Sequence, residues 1–203
     1  MTRIKLCGLS RLCDIAAANR LKPEYVGFVF ADKSKRFVPL STAVELKKAL
    51  SPEIQAVGVF VNETTETVAS LLNRGVIDIA QLHGNETEEY IADLRSLTEK
   101  PIIKAFRITS TQDISAAENS TADCILLDSG SGTGEVFDWE LIRNIKRPFF
   151  LAGGLNPDNV KNAVLSLSPF AVDVSSGIET DGVKDDYKMT KFVRAVRYTD
   201  LKG

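Results

Sequence analysis

Eight short β-branched and apolar runs, each followed by a stretch with helical spacing, in a 203-residue chain without an internal linker, predict an α/β fold. The expectation is a single-domain (βα)8 TIM barrel spanning residues 1–203. Strict alternation requires a parallel sheet covered by helices, open or closed, and eight units favour closure. The chain is 44% apolar and 26% charged, the balance of an ordered globular protein able to bury one large core.

In chain order, the runs that read as strands are Arg3 to Leu6, Tyr25 to Phe30, Ala56 to Val61, Asp78 to Leu82, Pro101 to Phe106, Cys124 to Leu127, Phe149 to Leu151 and Ala171 to Val174. Helical spacing between them is carried by Leu12, Ile15 and Ala16, by Val44, Leu46 and Leu50, by Val68, Leu71 and Leu72, and by Phe192, Val193 and Val196. Helix starts are expected at Ser10, Ser41, an Asn85-x-x-Glu88 capping box, Ser110, Asp138, and Asn156 followed by Pro157; Gly75 marks a stop. VGFVF (26–30) and VGVFV (57–61) are faintly alike, as repeated βα units would be.

A formal net charge of −2, with lysines and arginines scattered along the chain, argues against nucleic acid as a partner. An anionic small molecule would then have to be held by local backbone amides or single arginines. The first ten residues lack the apolar stretch of a signal peptide, and no segment approaches the roughly 20 apolar residues of a membrane span. A cytoplasmic monomer or homodimer is expected. Cys7, Cys13 and Cys124 form neither a disulfide framework nor a zinc pattern, and His83 is the sole histidine, so no metal or other cofactor is expected.

Active sites on this fold lie at the carboxyl ends of the strands. Residues at or just after those ends are Cys7, Arg36, His83, Arg107, Asp128, Gly153 with Gly154, and Asp173 followed by Ser175, Ser176 and Gly177. The loops after the seventh and eighth strands, AGGLNPDNV and DVSSGIE, can present backbone N–H groups to a phosphate, although glycines there can equally serve only as tight turns. A thiol at Cys7 can be a general base if positive surroundings lower its pKa, or simply a small buried hydrophobe. Asp128 can be a general acid if desolvation or a bound ligand keeps it protonated, or a cap for the loop 129–134. Arg36 can clamp a carboxylate through two hydrogen bonds or be one of several solvated charges in DKSKRFV; His83 can polarise a substrate oxygen or satisfy nearby backbone.

Seven blocks in register, KLCG, VGFVF with SKRFV, VGVFVN, QLHGNE, LLDS with GTGEVFDW, LAGGLNPDNV, and AVDVSSGIE with GVKD, resemble the phosphoribosylanthranilate isomerase family along nearly the whole chain. The resemblance implies an Amadori rearrangement of N-(5-phosphoribosyl)anthranilate in tryptophan biosynthesis. It further implies Asp128 as general acid, Cys7 as general base and Arg36 on the anthranilate carboxylate, with the glycine and serine loops on the phosphate. The chain departs from the familiar pattern at Ser34-Lys35-Arg36, where Ser-Pro-Arg is usual, at Gly8-Leu9-Ser10, where Gly-Ile-Thr is usual, and in a short segment between Asp128 and GTG. A metal-dependent sugar-phosphate epimerase would want several His and carboxylate ligands, which His83 alone does not supply, and two further alternatives fit less well. A histidine-pathway isomerase would carry an aspartate on the first strand and phosphate loops in both halves, unlike Cys7 and the loops NETTE and HGNE. A non-catalytic phosphosugar-binding barrel would have no use for both Cys7 and Asp128.

Overall fold

The computed structural model describes residues 1–128, 139–143 and 145–200. Eight parallel strands, β1 (Arg3–Cys7), β2 (Tyr25–Val29), β3 (Gln55–Phe60), β4 (Ile79–Leu82), β5 (Ile102–Arg107), β6 (Cys124–Asp128), β7 (Phe149–Ala152) and β8 (Ala171–Val174), close into a barrel in sequential order. Closure is made by β1 against β8, with Lys5 opposite Asp173 and Leu6 opposite Val174. Each strand lies within two residues of its expected bounds. These segments were legible because parallel strands covered on both faces read as unbroken apolar runs.

Alternation along each strand sorts the core into two parts. Ile4, Leu6, Val26, Phe28, Ala56, Phe60, Ala80 and Leu82 face the helices. Tyr25, Val57, Ile79, Ile103, Ala105, Leu126, Phe150 and Ala171 fill the barrel interior, where Phe150 sits between Tyr25 and Phe170 at ring separations of 5.3 and 5.6 Å. Above them, toward the carboxyl ends, Cys7, Val29 and Val59 form a small cluster of their own. The inward parity also brings Lys5 and Asp173 inside, so the upper barrel is polar over an apolar floor.

Among the described residues seven helices surround the barrel: α1 (Leu12–Leu21), α2 (Leu40–Ala49), α3 (Thr65–Asn73), α4 (Glu88–Leu97), α5 (Thr111–Asn119), α6 (Val160–Leu167) and α7 (Asp186–Asp200). Between β6 and β7 the described chain holds a single 3₁₀ turn, Trp139–Ile142, in place of the expected helix. Ser110 caps α5 as expected, in a box with Asp113, and Gly75 follows α3 with φ +70°.

Other caps differ. At α1 the Asp14 carboxylate accepts from the N–H groups of both Ser10 and Arg11, so an acidic group inside the first turn replaces the Ser10 hydroxyl. Pro39, with its fixed φ, precedes α2, which therefore starts before Ser41. Thr87 caps α4 by accepting from Tyr90 N–H, while Asn85 N–H is drawn instead to Asn62 Oδ1. Asn156 accepts from the N–H groups of Asp158 and Asn159, capping a turn that leads into α6 at Val160. On α1, Leu12 points outward and Ala17 and Ala18 take the buried stripe with Ile15, a phase the larger side chain concealed. The expected cap at Asp138 and the loop 129–134 lie outside the described residues. After β8 the chain forms a short turn, Ser176–Ile178, and a small hairpin, β9 (Glu179–Thr180) with β10 (Val183–Lys184), which the sequence did not signal.

Candidate active site

At the carboxyl end of the barrel a cavity of about 370 Å³ is lined by Cys7, Ser34, Arg36, Gln81, His83, Asp128, Gly153, Gly154, Asp173, Ser175 and Ser176, among others. The topology therefore brings together residues from seven of the eight strands or the loops that follow them. Of the expected site residues, Gly177 and Arg107 stand outside this lining. Arg107 borders an adjoining cavity that also touches His83 and Asp128. Gly177 is part of the wall by another route: a Cβ there would lie 1.9 Å from the Leu155 carbonyl oxygen, so glycine lets the loop after β8 press on the loop after β7.

Cys7 ends β1 facing inward and is buried. Its thiol fits because position 27 on the neighbouring strand is glycine; a Cβ there would come within 2.6 Å of Sγ. Directly below, Lys5 is wholly buried and donates to both carboxylate oxygens of Asp173 at 3.0 Å. Burial pushes the Cys7 thiol above its ordinary value, and the positive charges of Lys5 and Lys184 offset only part of that rise, with Asp173 working against them. The condition that the sequence set for a thiolate base, a pKa lowered by positive surroundings, is met only in part: the cations are present, but desolvation outweighs them. For Lys5, burial favours the neutral amine, yet the Asp173 carboxylate and the Cys7 sulfur outweigh it and raise its pKa.

On the opposite side Asp128 ends β6. One partner of its carboxylate is His83 Nε2 at 3.3 Å. Gln81 Nε2 lies 2.8 Å from His83 Nδ1. Gln81 thus holds the imidazole by Nδ1 and leaves Nε2 facing Asp128. Gln81 Oε1 is buried and, among the described residues, has no hydrogen-bond partner.

Arg36 reaches across from the loop after β2, where it donates to Glu179 through Nε at 2.6 Å and Nη2 at 2.7 Å. Lys184 Nζ donates to Glu179 Oε1, to the Ser175 backbone carbonyl at 2.9 Å and to Ser175 Oγ at 3.2 Å. Burial raises the Glu179 carboxyl, but hydrogen bonds from Arg36 and Lys184 outrun it and hold the group below its ordinary value. For Lys184 the balance falls the other way, burial lowering it more than Glu179 raises it.

Lys5, Gln81, Glu179 and Lys184 escaped the sequence reading. Lys5 and Gln81 each stand two positions before a chosen residue, Cys7 and His83, and so share its face of the strand. Glu179 and Lys184 lie inside the blocks SSGIE and GVKD, but only the hairpin shows that they meet.

A cavity ringed by a thiol, a carboxyl group, an arginine and two glycine- and serine-bearing loops can hold a phosphorylated carboxylate between an acid and a base. Comparison with known proteins agrees. Residues 4–195 match the family model described as N-(5'phosphoribosyl)anthranilate (PRA) isomerase. The N-(5'-phosphoribosyl)anthranilate isomerase of Endomicrobium trichonymphae is 44% identical over 202 residues, covering 97% of this chain and 99% of the relative. The crystal structure of phosphoribosyl anthranilate isomerase from Thermotoga maritima superposes with a TM-score of 0.89 at 36% identity, covering 98% of this chain and all of that one. A phosphoribosyl anthranilate isomerase in complex with reduced 1-(o-carboxyphenylamino)-1-deoxyribulose 5-phosphate superposes with a TM-score of 0.87, also at 36% identity, with coverage of 98% and 100%. The chain belongs to the N-(5'-phosphoribosyl)anthranilate isomerase family.

Proposed function

We propose that Cys7 and Asp128 are the base and acid with which this isomerase converts N-(5-phosphoribosyl)anthranilate into 1-(2-carboxyphenylamino)-1-deoxyribulose 5-phosphate, a step of tryptophan biosynthesis. The observation that carries the assignment is their placement in the lining of one cavity, from strands distant in sequence, beside Arg36 and the paired loops.

The chemistry needs a proton delivered to a poor leaving group. Asp128, protonated, gives its proton to the furanose ring oxygen as the bond from that oxygen to the first carbon breaks, and the anthranilate nitrogen takes up the electron deficiency as an iminium. His83, whose Nε2 lies 3.3 Å from Asp128 Oδ2, orients the carboxyl group as it gives up its proton. The iminium acidifies the neighbouring C–H, and the Cys7 thiolate removes the proton from the second carbon, leaving an enolamine. Ketonisation returns one proton to the first carbon and releases one from the hydroxyl, so acid and base end in their starting states. Arg36 holds the anthranilate carboxylate, and Gly153, Gly154, Ser175, Ser176 and Gly177 form the phosphate end.

Cys7→Ala and Asp128→Asn are each expected to lower kcat at least about 10²- to 10⁴-fold while the circular dichroism spectrum is unchanged. The assay follows the fluorescence of freshly made phosphoribosylanthranilate. Near-normal turnover by Cys7→Ala would remove the base assignment, and a wild-type protein without turnover would favour a binding scaffold.

No helix among the described residues is long and apolar enough to cross a membrane. The location proposed is the cytoplasm, and the working form a monomer or homodimer, which light scattering at assay concentration distinguishes.

A further inference from the structure

We propose that Glu179 is a positioning residue for substrate recognition: it fixes the Arg36 guanidinium over the cavity and ties it, through Lys184, to the loop that carries Ser175. This deepens the functional reading above and rests on Arg36 as the carboxylate clamp.

Glu179 engages one edge of the guanidinium, the edge formed by Nε and Nη2. Among the described residues no partner takes the other edge, Nη1 with the second N–H of Nη2, which can meet a second carboxylate in the same fork geometry. An arginine held along one edge loses little side-chain freedom when a ligand meets the other. The pairing with Glu179 therefore prepares Arg36 for an anion instead of competing with one.

The same carboxylate serves Lys184, whose side chain is 2% exposed and whose remaining described contacts are the carbonyl and hydroxyl oxygens of Ser175. Two cations share one anion, so the trio keeps one net positive charge beside a site expected to receive an anionic ligand. Gly8 completes the contact. A Cβ at that position would lie 2.5 Å from Arg36 Cδ and 3.2 Å from Ser175 Oγ, so the arginine stem and the serine hydroxyl meet over the residue next to Cys7. Lys188 Nζ donates to the Glu179 carbonyl at 2.6 Å, and Thr180 Oγ1 donates to Asp185 Oδ2 at 2.7 Å, bracing the β9–β10 hairpin from outside the cavity. Glu179 thus ties the carboxylate clamp to the phosphate loop through Lys184, and clamp and loop both lie over the residue that follows Cys7.

A purely structural reading makes Glu179 only the counter-charge of buried Lys184, and the test separates the two. Glu179→Asp keeps that charge but is one methylene too short to hold Arg36 bidentately; Glu179→Gln removes the charge. Both are compared with wild type in steady-state kinetics. Binding is measured by calorimetry for reduced 1-(o-carboxyphenylamino)-1-deoxyribulose 5-phosphate and for the same compound without its carboxyl group. The expected result for Glu179→Asp is a KM raised at least tenfold with kcat within threefold, and a loss of affinity for the carboxylated ligand at least three times that for the decarboxylated one. A KM within twofold of wild type, or equal losses for the two ligands, overturns the proposal. If Glu179→Gln fails to fold, Glu179→Asp alone decides. Wild-type protein that does not bind the carboxylated ligand instead overturns the underlying functional reading, whatever the variants do.

Discussion

The position of the Cys7 thiol is set by a residue with no side chain. Gly27 lies directly beside Cys7 in the β1–β2 register, and the 2.6 Å approach that a Cβ would make to Sγ leaves the sulfur no alternative but to move. Gly27→Ala is therefore expected to displace the proposed base without changing its chemistry. A misplacement of about 1 Å can cost on the order of 10²-fold, so kcat should fall by about that factor while KM changes little. Steady-state kinetics with the alanine variant check this, and a kcat within threefold of wild type would show that the barrel absorbs the extra methyl. Cys7 and Asp128 were legible in the sequence because strand ends on this fold converge on one rim. Lys5, Glu179 and Lys184 were not, because their significance lies in partners up to 168 positions away, such as Asp173 for Lys5, that only the closed barrel identifies.

Among the elements, the loop after β4 shows how a catalytic neighbour is held from outside the cavity. Glu86 accepts from the N–H groups of Asn62 at 2.7 Å and Gly84 at 2.9 Å, and from Lys104 Nζ at 2.8 Å; Lys104 also donates to the Gly84 carbonyl at 2.8 Å. One buried ion pair thereby binds the ends of β3, β4 and β5 together around His83. Removing one charge of such a pair leaves the other uncompensated, so Glu86→Gln is expected to cost about 3 kcal/mol in urea unfolding and to lower kcat through a loosened His83. A loss under about 1 kcal/mol would mean that water reaches Lys104 and the pin is weak. The strands were readable because doubly covered parallel strands are apolar throughout. Helix caps were read less well, since neighbours outside the local pattern decide them: Asn85 N–H goes to Asn62 Oδ1, Asp14 takes the N–H groups of Ser10 and Arg11, and α2 starts directly after Pro39, ahead of Ser41. The β9–β10 hairpin, two residues a side, is too short to leave a periodic signal.

Closure of the whole barrel depends on β1 meeting β8, a pairing the count of βα units implied and no local pattern could display. It has a consequence for pH, because closure buries titratable groups whose shifts oppose one another. Glu86 and Glu179 are held below their ordinary values despite burial, by Lys104 and backbone N–H groups in one case and by Arg36 and Lys184 in the other. Their contribution to stability is full above the unfolded carboxyl value of about 4.3 and is lost as pH falls through the lower folded value. Cys7 is raised by burial, so its contribution is full below the unfolded thiol value of about 8.5 and is lost as pH climbs through the higher folded value. Lys5, raised by Asp173 against burial, adds a second loss above about 10.4. The role proposed for Cys7 makes the opposite demand on the same sulfur, since a base must be a thiolate. In the free enzyme the limb of kcat/KM that reports the Cys7 thiol is therefore expected above about 8.5, well clear of the substrate phosphate's second ionisation near about 6. The urea midpoint, level between about pH 5 and 8, should begin to fall over the same range as that limb. Measuring both in the same buffers tests the account. A kcat/KM limb centred near neutrality would show that Lys5 and Lys184 outweigh burial at Cys7, and with it the opposition between activity and stability would disappear.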